Sequence, residues 1–223
     1  MIMSLGNSMI DLKNNTIDLN LFRRILREIK NSERSDIIDS FSDNQFNSKT
    51  KLLEKLDQLN ILDNESEVII FGCWYGSILM PVLANKVKRV TGIDLDDAAL
   101  KIAKNRFFKD YKNIDFIADD IFSKFRGRYI DTKLFINTSC EHMLPMKEWP
   151  FWTELKSDAY FAFQSNNMDT IEGHINCVHS LQEFKNQLPD NSEVLFEDEL
   201  EDNRGTRYML IGKILYRNID MLD

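Results

Sequence analysis

Cysteine is scarce in this 223-residue chain: Cys73, Cys140 and Cys177 are odd in number and share no C-x-x-C spacing. That excludes a disulfide scaffold and reads as free thiols in a reducing, cytoplasmic compartment. Long apolar runs are missing too, and no stretch approaches the ~20 consecutive apolar residues of a membrane span. Residues 1–15 lack a basic head followed by an apolar core, so no secretory signal is read there. Positive charge is outweighed: 28 Lys and Arg against 36 Asp and Glu leave a net charge of −8. Such a balance opposes broad phosphate binding and argues against nucleic acid as a partner. No internal repeat or long low-complexity tract appears. The G-x-G-x-x-G pattern of a dinucleotide site is absent. What is present is ordinary for one globular domain, with 43% hydrophobic and 29% charged residues.

The most informative stretch is Phe71-Gly72-Cys73-Trp74-Tyr75-Gly76, followed 18 residues after Gly76 by Asp94. Val68 to Phe71 is a short β-branched run that stops at a glycine, and Ser77 to Ala84 can start a helix. Lys88 to Ile93 then forms a second strand ending on a carboxylate. A glycine turn lets backbone approach a ligand, and an acid at the tip of the next strand can bind the two hydroxyls of a ribose. Asp96, two residues on and at a helix start, competes with Asp94 for that role. Asp97 to Phe107 has the apolar spacing of an amphipathic helix. Asn113 to Ile121 reads as a third strand ending in Asp119 and Asp120, and Thr132 to Asn137 as a fourth with a polar tip.

These four features, in this order over residues 67 to 142, resemble the class I S-adenosylmethionine-dependent methyltransferases. The glycine loop of that family typically reads acid-x-Gly-x-Gly-x-Gly. Here Ile70 stands at the leading acid and Trp74 at the middle glycine, where a side chain makes a positive φ costly. The resemblance implies an α/β fold: a Rossmann-like, doubly wound seven-stranded sheet, mostly parallel, with an antiparallel C-terminal strand. Residues 61–223 would form the methyltransferase domain, and residues 1–60 an N-terminal helical cap within it. The cofactor would be S-adenosyl-L-methionine, bound by Phe71, Gly72, Cys73, Tyr75, Gly76, Asp94, Leu95, Asp120, Ile121 and Asn137. Asp94 would take the ribose and Asp120 the adenine amino group. Two other readings stay open: an aminopropyltransferase of the same fold, and a binding or regulatory module that has lost its chemistry.

The flanks fill in the frame. Ile17, Leu21, Ile25 and Ile29 mark a helix over 17–31, with Arg23, Arg24, Arg27 and Lys30 on a solvated face. Residues 31–49 read as a polar connector, and residues 50–59 as the helix before the first strand. Asp158 to Gln164 is a further strand, Ser180 to Leu188 a helix, and Glu193–Glu197 and Arg207–Ile214 the last two strands. An acidic turn, Asp198 to Gly205, would join that pair.

All three histidines, His142, His174 and His179, follow the fourth or fifth strand, on the side where open α/β sheets bind ligands. His142 could take a proton from an acceptor, histidine being the side-chain type best suited to proton transfer near neutral pH, with Glu141 orienting it or reading a substrate cation. Structural hydrogen bonding explains the same pair. Glu141, His142, His174 and His179 have the chemistry of zinc or iron ligands, but their spacing matches no fixed metal motif, so no metal is expected. Asn137-Thr138-Ser139-Cys140 keeps only the Asn of the Asn-Pro-Pro-aromatic pattern of base- and glutamine-methylating enzymes. A small-molecule acceptor is therefore expected. Trp149-Pro150-Phe151-Trp152 would wall a pocket or pack the core.

Overall fold

The computed structural model of the protein describes residues 10–11, 16–122, 131–150, 152–155, 158–202 and 204–216. Phe151 lies outside the described residues. The chain divides into two compact units, Met1–Asp119 and Asp120–Asp223.

The first unit carries a two-residue ladder, β1 (Ile10–Asp11) with β2 (Thr16–Ile17), then α1 (Leu19–Asn31), α2 (Asp36–Asp39) and α3 (Asp43–Gln58). It continues through β3 (Glu67–Phe71), α4 (Leu79–Ala84), β4 (Arg89–Asp94), α5 (Asp97–Ile102) and β5 (Ile114–Ala118). Asp18 caps α1 by accepting the Leu21 N–H at 2.8 Å, which satisfies one of the free N–H groups of the first turn. Leu21 and Ile25 are buried, as their spacing predicts. Ile17 instead belongs to β2, and Arg24 leaves the solvated face: its Nε donates to the Phe107 carbonyl and Nη1 to Asp110, both at 2.7 Å. The polar connector is also corrected. Residues 31–49 contain α2 and the first turns of α3, because Ile37 and Phe46 supply the apolar anchors that hold them to the core. In α4, Pro81 sits in the first turn, where its missing N–H costs nothing.

Strands β3, β4 and β5 are parallel, with β4 central; Ile70 pairs with Gly92 and Phe71 with Ile93. Val68, Ile69, Ile70 and Phe71 are all buried, as expected of a parallel strand covered on both faces.

The second unit holds β6 (Leu134–Asn137), three short 3-10 turns, β7 (Ala159–Asn166), α6 (Leu181–Lys185), β8 (Ser192–Asp202) and β9 (Gly205–Ile214). β6 and β7 are parallel, whereas β9 runs antiparallel to both β7 and β8. The expected acidic turn is strand for most of its length, since β8 runs on to Asp202. Glu197, Glu199 and Glu201 are exposed in a period-two pattern that places these acids along one side of β8, beyond a bulge between Val194 and Phe196. A row of charge on a terminal strand also discourages pairing with other chains. Trp149 and Trp152 are core residues: Trp149 Nε1 donates to the Ile121 carbonyl at 3.1 Å, and both rings pack on Phe135.

The strands are ordered β5-β4-β3-β6-β7-β9-β8 in a seven-stranded sheet, mostly parallel with β9 reversed, which is the expected fold class. Among the described residues no helix is long and apolar enough to cross a membrane.

Candidate active site

In the first unit the site begins where β3 stops. Gly72, Trp74 and Gly76 hold φ of +60°, +49° and +63°, so alternate residues of the loop are left-handed. The Gly76 N–H donates to the Cys73 carbonyl at 2.7 Å, and the Gly76 carbonyl receives the Met80 N–H at 3.1 Å, leading into α4. Trp74 therefore adopts the conformation that a glycine would take without strain. Asp94 holds it there, with Oδ2 accepting the Trp74 N–H at 2.7 Å while Oδ1 accepts the Asp96 N–H at 2.9 Å. A carboxylate oxygen can accept two hydrogen bonds, so these two contacts leave Asp94 able to receive more. Leu95 beside it is 75% exposed. Phe71, Cys73 and Tyr75 are buried and Gly72 and Gly76 half-buried, so the loop offers its backbone rather than these side chains. Burial, with Asp94 nearby, pushes the Cys73 thiol well up and keeps it protonated.

Asp96 has a different employment. It caps α5 by accepting the Ala99 N–H at 3.0 Å and takes two hydrogen bonds from Arg34, at 3.0 and 2.6 Å. Arg34 also grips Asp36, whose carboxylate accepts the Tyr75 hydroxyl at 3.1 Å. The guanidinium holds both carboxyls below the usual range, and its own pKa is raised by Asp36 first and Asp96 second. Burial, then Asp36, pushes the Tyr75 hydroxyl up. Sequence reasoning missed this network because Arg34 and Asp96 are 62 residues apart and no local pattern joins them.

In the second unit, Asp120 Oδ1 accepts the Phe122 N–H at 2.9 Å, and the Ile121 carbonyl is taken by Trp149. Asn137 is fully buried and works within its own turn: its amide faces Met143 Sδ and Met146 Sδ, and Oδ1 accepts the Ser139 N–H at 2.9 Å. The Cys140–His142 turn follows, and the loop after β7 folds back onto it. The Glu141 carbonyl receives the Ile175 and Asn176 N–H groups at 2.9 and 3.0 Å. The Glu141 side chain is buried; Oε1 accepts from Asn166 Nδ2 at 2.6 Å and lies 3.5 Å from Arg207 Nη1. His142 is exposed and fixed through Nδ1 to the Gly173 carbonyl at 3.0 Å. His174 packs edge-on against it, with ring centroids 4.5 Å apart. Burial lowers the His174 pKa, an effect opposed by Glu141. Glu141, His142 and His174 present donor atoms within 4.8 Å of one another, whereas His179 stands apart with Asp169 at 3.5 Å.

No family model matches the chain, and no curated protein matches it in sequence. Solved structures do match in fold. The N-methyltransferase NodS from Bradyrhizobium japonicum WM9, in complex with S-adenosyl-L-homocysteine, superposes with a TM-score of 0.61 at 18% identity, over 87% of this chain and 98% of that one. Magnesium protoporphyrin IX methyltransferase from Synechocystis PCC 6803, also with bound S-adenosylhomocysteine, gives 0.57 at 14%, over 88% and 94%. A SAM-dependent methyltransferase from Aquifex aeolicus gives 0.53 at 18%, over 73% and 89%. With its strand order and reversed β9, the chain has the fold of the class I S-adenosylmethionine-dependent methyltransferases.

Proposed function

We propose that this chain is an S-adenosylmethionine-dependent methyltransferase acting on a small-molecule acceptor. The observation that carries the reading is Asp94: its carboxylate is clamped against the glycine loop by the Trp74 N–H, retains acceptor capacity, and is followed by the exposed Leu95. A ribose diol needs the first of these groups and an adenine face the second. Gly72 and Gly76 keep the loop backbone open to the rest of the cofactor. Asp120 and Ile121 keep the adenine-end roles that the resemblance gives them, and Asn137 serves by shaping the turn after β6. When bound, the cofactor supplies a methyl group on a positively charged sulfur.

On the acceptor side, His142 is the general base of this reading. Its tether to Gly173 orients the ring and leaves Nε2 to receive a proton. Glu141, set by Asn166 and Arg207, fixes the turn that carries it. The reading of the N-terminal helices as part of the same domain as the glycine loop is supported by the bonds from Arg34 to Asp96 and from the Tyr75 hydroxyl to Asp36. Isothermal titration with S-adenosylmethionine and S-adenosylhomocysteine tests the proposal. Both should bind, and Asp94→Ala should weaken binding by about 1.5–3 kcal/mol, the scale of a charge-assisted hydrogen bond. No binding of either ligand, or unchanged affinity in the variant, overturns it.

A second reading is favoured by Ile70, buried where the family carries the acid that faces the methionine ammonium. A loop without that acid suits an altered amino-acid end, as in an aminopropyltransferase. Tighter binding of decarboxylated S-adenosylmethionine than of S-adenosylmethionine would select it. Binding of cofactor with no turnover over a broad acceptor panel would select a regulatory module instead.

A further inference from the structure

The second unit contains a donor set that methyl transfer by a free base does not require. Glu141, His142 and His174 bring one carboxylate and two imidazoles within 4.8 Å of one another. Two of the three donors are already oriented by other groups. Glu141 Oε1 is held by Asn166 Nδ2 and faces Arg207, which leaves Oε2, buried and without a hydrogen-bond partner among the described residues. A buried carboxylate oxygen left unpaired is costly, and such an atom calls for a ligand. The Glu141 side chain is only 4% exposed, so bulk water does not serve that oxygen. His142 is fixed through Nδ1 to the Gly173 carbonyl, the kind of outer contact that sets the tautomer and leaves Nε2 as a lone-pair donor.

We infer that Glu141 Oε2, His142 and His174 form a binding site for a divalent first-row transition metal such as zinc or manganese. Two imidazoles and one carboxylate suit these ions, and three protein ligands leave positions open for water or a substrate oxygen. Bonds of about 2.0–2.1 Å place tetrahedral donors roughly 3.4 Å apart, so a pair at the 4.8 Å limit must close by about 1.4 Å. The exposed His142 ring can swing about its Nδ1 contact with Gly173 to supply that movement, while Glu141 is held by Asn166 and by the two N–H groups on its carbonyl. The scaffold beneath is firm: Asn176 and Gln187 exchange paired amide hydrogen bonds at 2.9 and 2.8 Å, and the Val178 N–H binds the Asn166 carbonyl at 2.9 Å. A metal held here uses the His142 lone pair that a free base would use, so it supplants that role and selects acceptors bearing an oxygen donor.

The site stands on this geometry and not on the methyl-transfer reading, so its test uses neither cofactor nor acceptor. The untagged full chain, stripped with a chelator, is titrated with zinc alone and with manganese alone. One equivalent of at least one ion should bind, with the thermal midpoint rising as metal is added. His142→Ala and His174→Ala should each weaken binding by at least ~10-fold, as loss of an outer-shell partner alone costs 10–100-fold. Metal-free thermal midpoints of these two variants should stay close to that of the parent chain. Glu141→Gln should do the same to binding, and if it fails to fold the two histidine variants decide. His179→Ala should bind as the parent chain does. Absence of stoichiometric binding, or binding untouched by both histidine variants, overturns the site.

Discussion

Trp74 and Gly76 show the cost of the glycine loop residue by residue. Both are left-handed, but Trp74 carries a side chain at φ +49°, a conformation costing an L-residue roughly 1–2 kcal/mol. The Asp94 carboxylate and the Tyr75 ring, 5.1 Å away, hold it in place. Strain retained beside the carboxylate proposed to take the ribose is consistent with that proposal. Gly76 is constrained twice, by its φ of +63° and by Met80, whose Sδ and Cγ occupy the space a Cβ would need. Gly76→Ala should therefore destabilise the protein by about 2–4 kcal/mol, combining backbone strain with a core clash. Urea unfolding reads this directly, and a loss below ~1 kcal/mol would show that the loop relaxes freely. Gly72→Val should in turn abolish cofactor binding, and the variant's circular dichroism would separate loss of the site from loss of the fold.

At the scale of elements, the segment between α1 and α3 is tied to the start of α5 by Arg34. Asp36 and Asp96 have their pKa values lowered by that guanidinium, so their share of stability is full above the unfolded value of ~3.9. It is lost as the pH falls through their lower folded values. The three side chains are 30%, 32% and 35% exposed, so solvent screening limits the contribution to about 1 kcal/mol. Arg34→Met should be less stable than the parent by about that amount at pH 7, with the gap closing as the pH falls through the lowered folded values of Asp36 and Asp96. A gap independent of pH would assign the effect to packing. In the other unit, β9 passes Phe161 at Gly212, where a Cβ would collide with the Phe161 ring and the Glu193 carbonyl. Gly212→Ala should cost about 1–3 kcal/mol by thermal unfolding, since neither the backbone carbonyl nor the buried ring can yield cheaply. An unchanged midpoint would mean that β8 shifts to accommodate it.

For the whole molecule, ligand linkage gives the broadest check on function. S-adenosylhomocysteine at 100 times its dissociation constant should stabilise the chain by about 2.7 kcal/mol. At this size that raises the thermal midpoint by roughly 5–10 °C, and no shift at millimolar ligand would count against the cofactor assignment. Much of the fold was readable in the chain itself. The apolar run Val68–Phe71, the glycine turn and the strand closing on Asp94 are local signals, because parallel strands bury both faces and turns need glycine. The helical stripe of Leu21 and Ile25 and the strand before Asn137 follow from periodicity in the same way. Tertiary structure decided the rest. It drew residues 31–49 into helices through Ile37 and Phe46, and turned the acids of β8 into strand because ladder hydrogen bonds outweigh the weak β propensity of Glu and Asp. It also committed Asp96 to Arg34, from 62 residues away, while Asp94 stays on the glycine loop. It gathered Glu141, His142 and His174 while leaving His179 with Asp169. Neighbouring residues carry the information for strands and turns, but a partner tens of residues distant is chosen only when the folded backbone brings it within hydrogen-bonding reach.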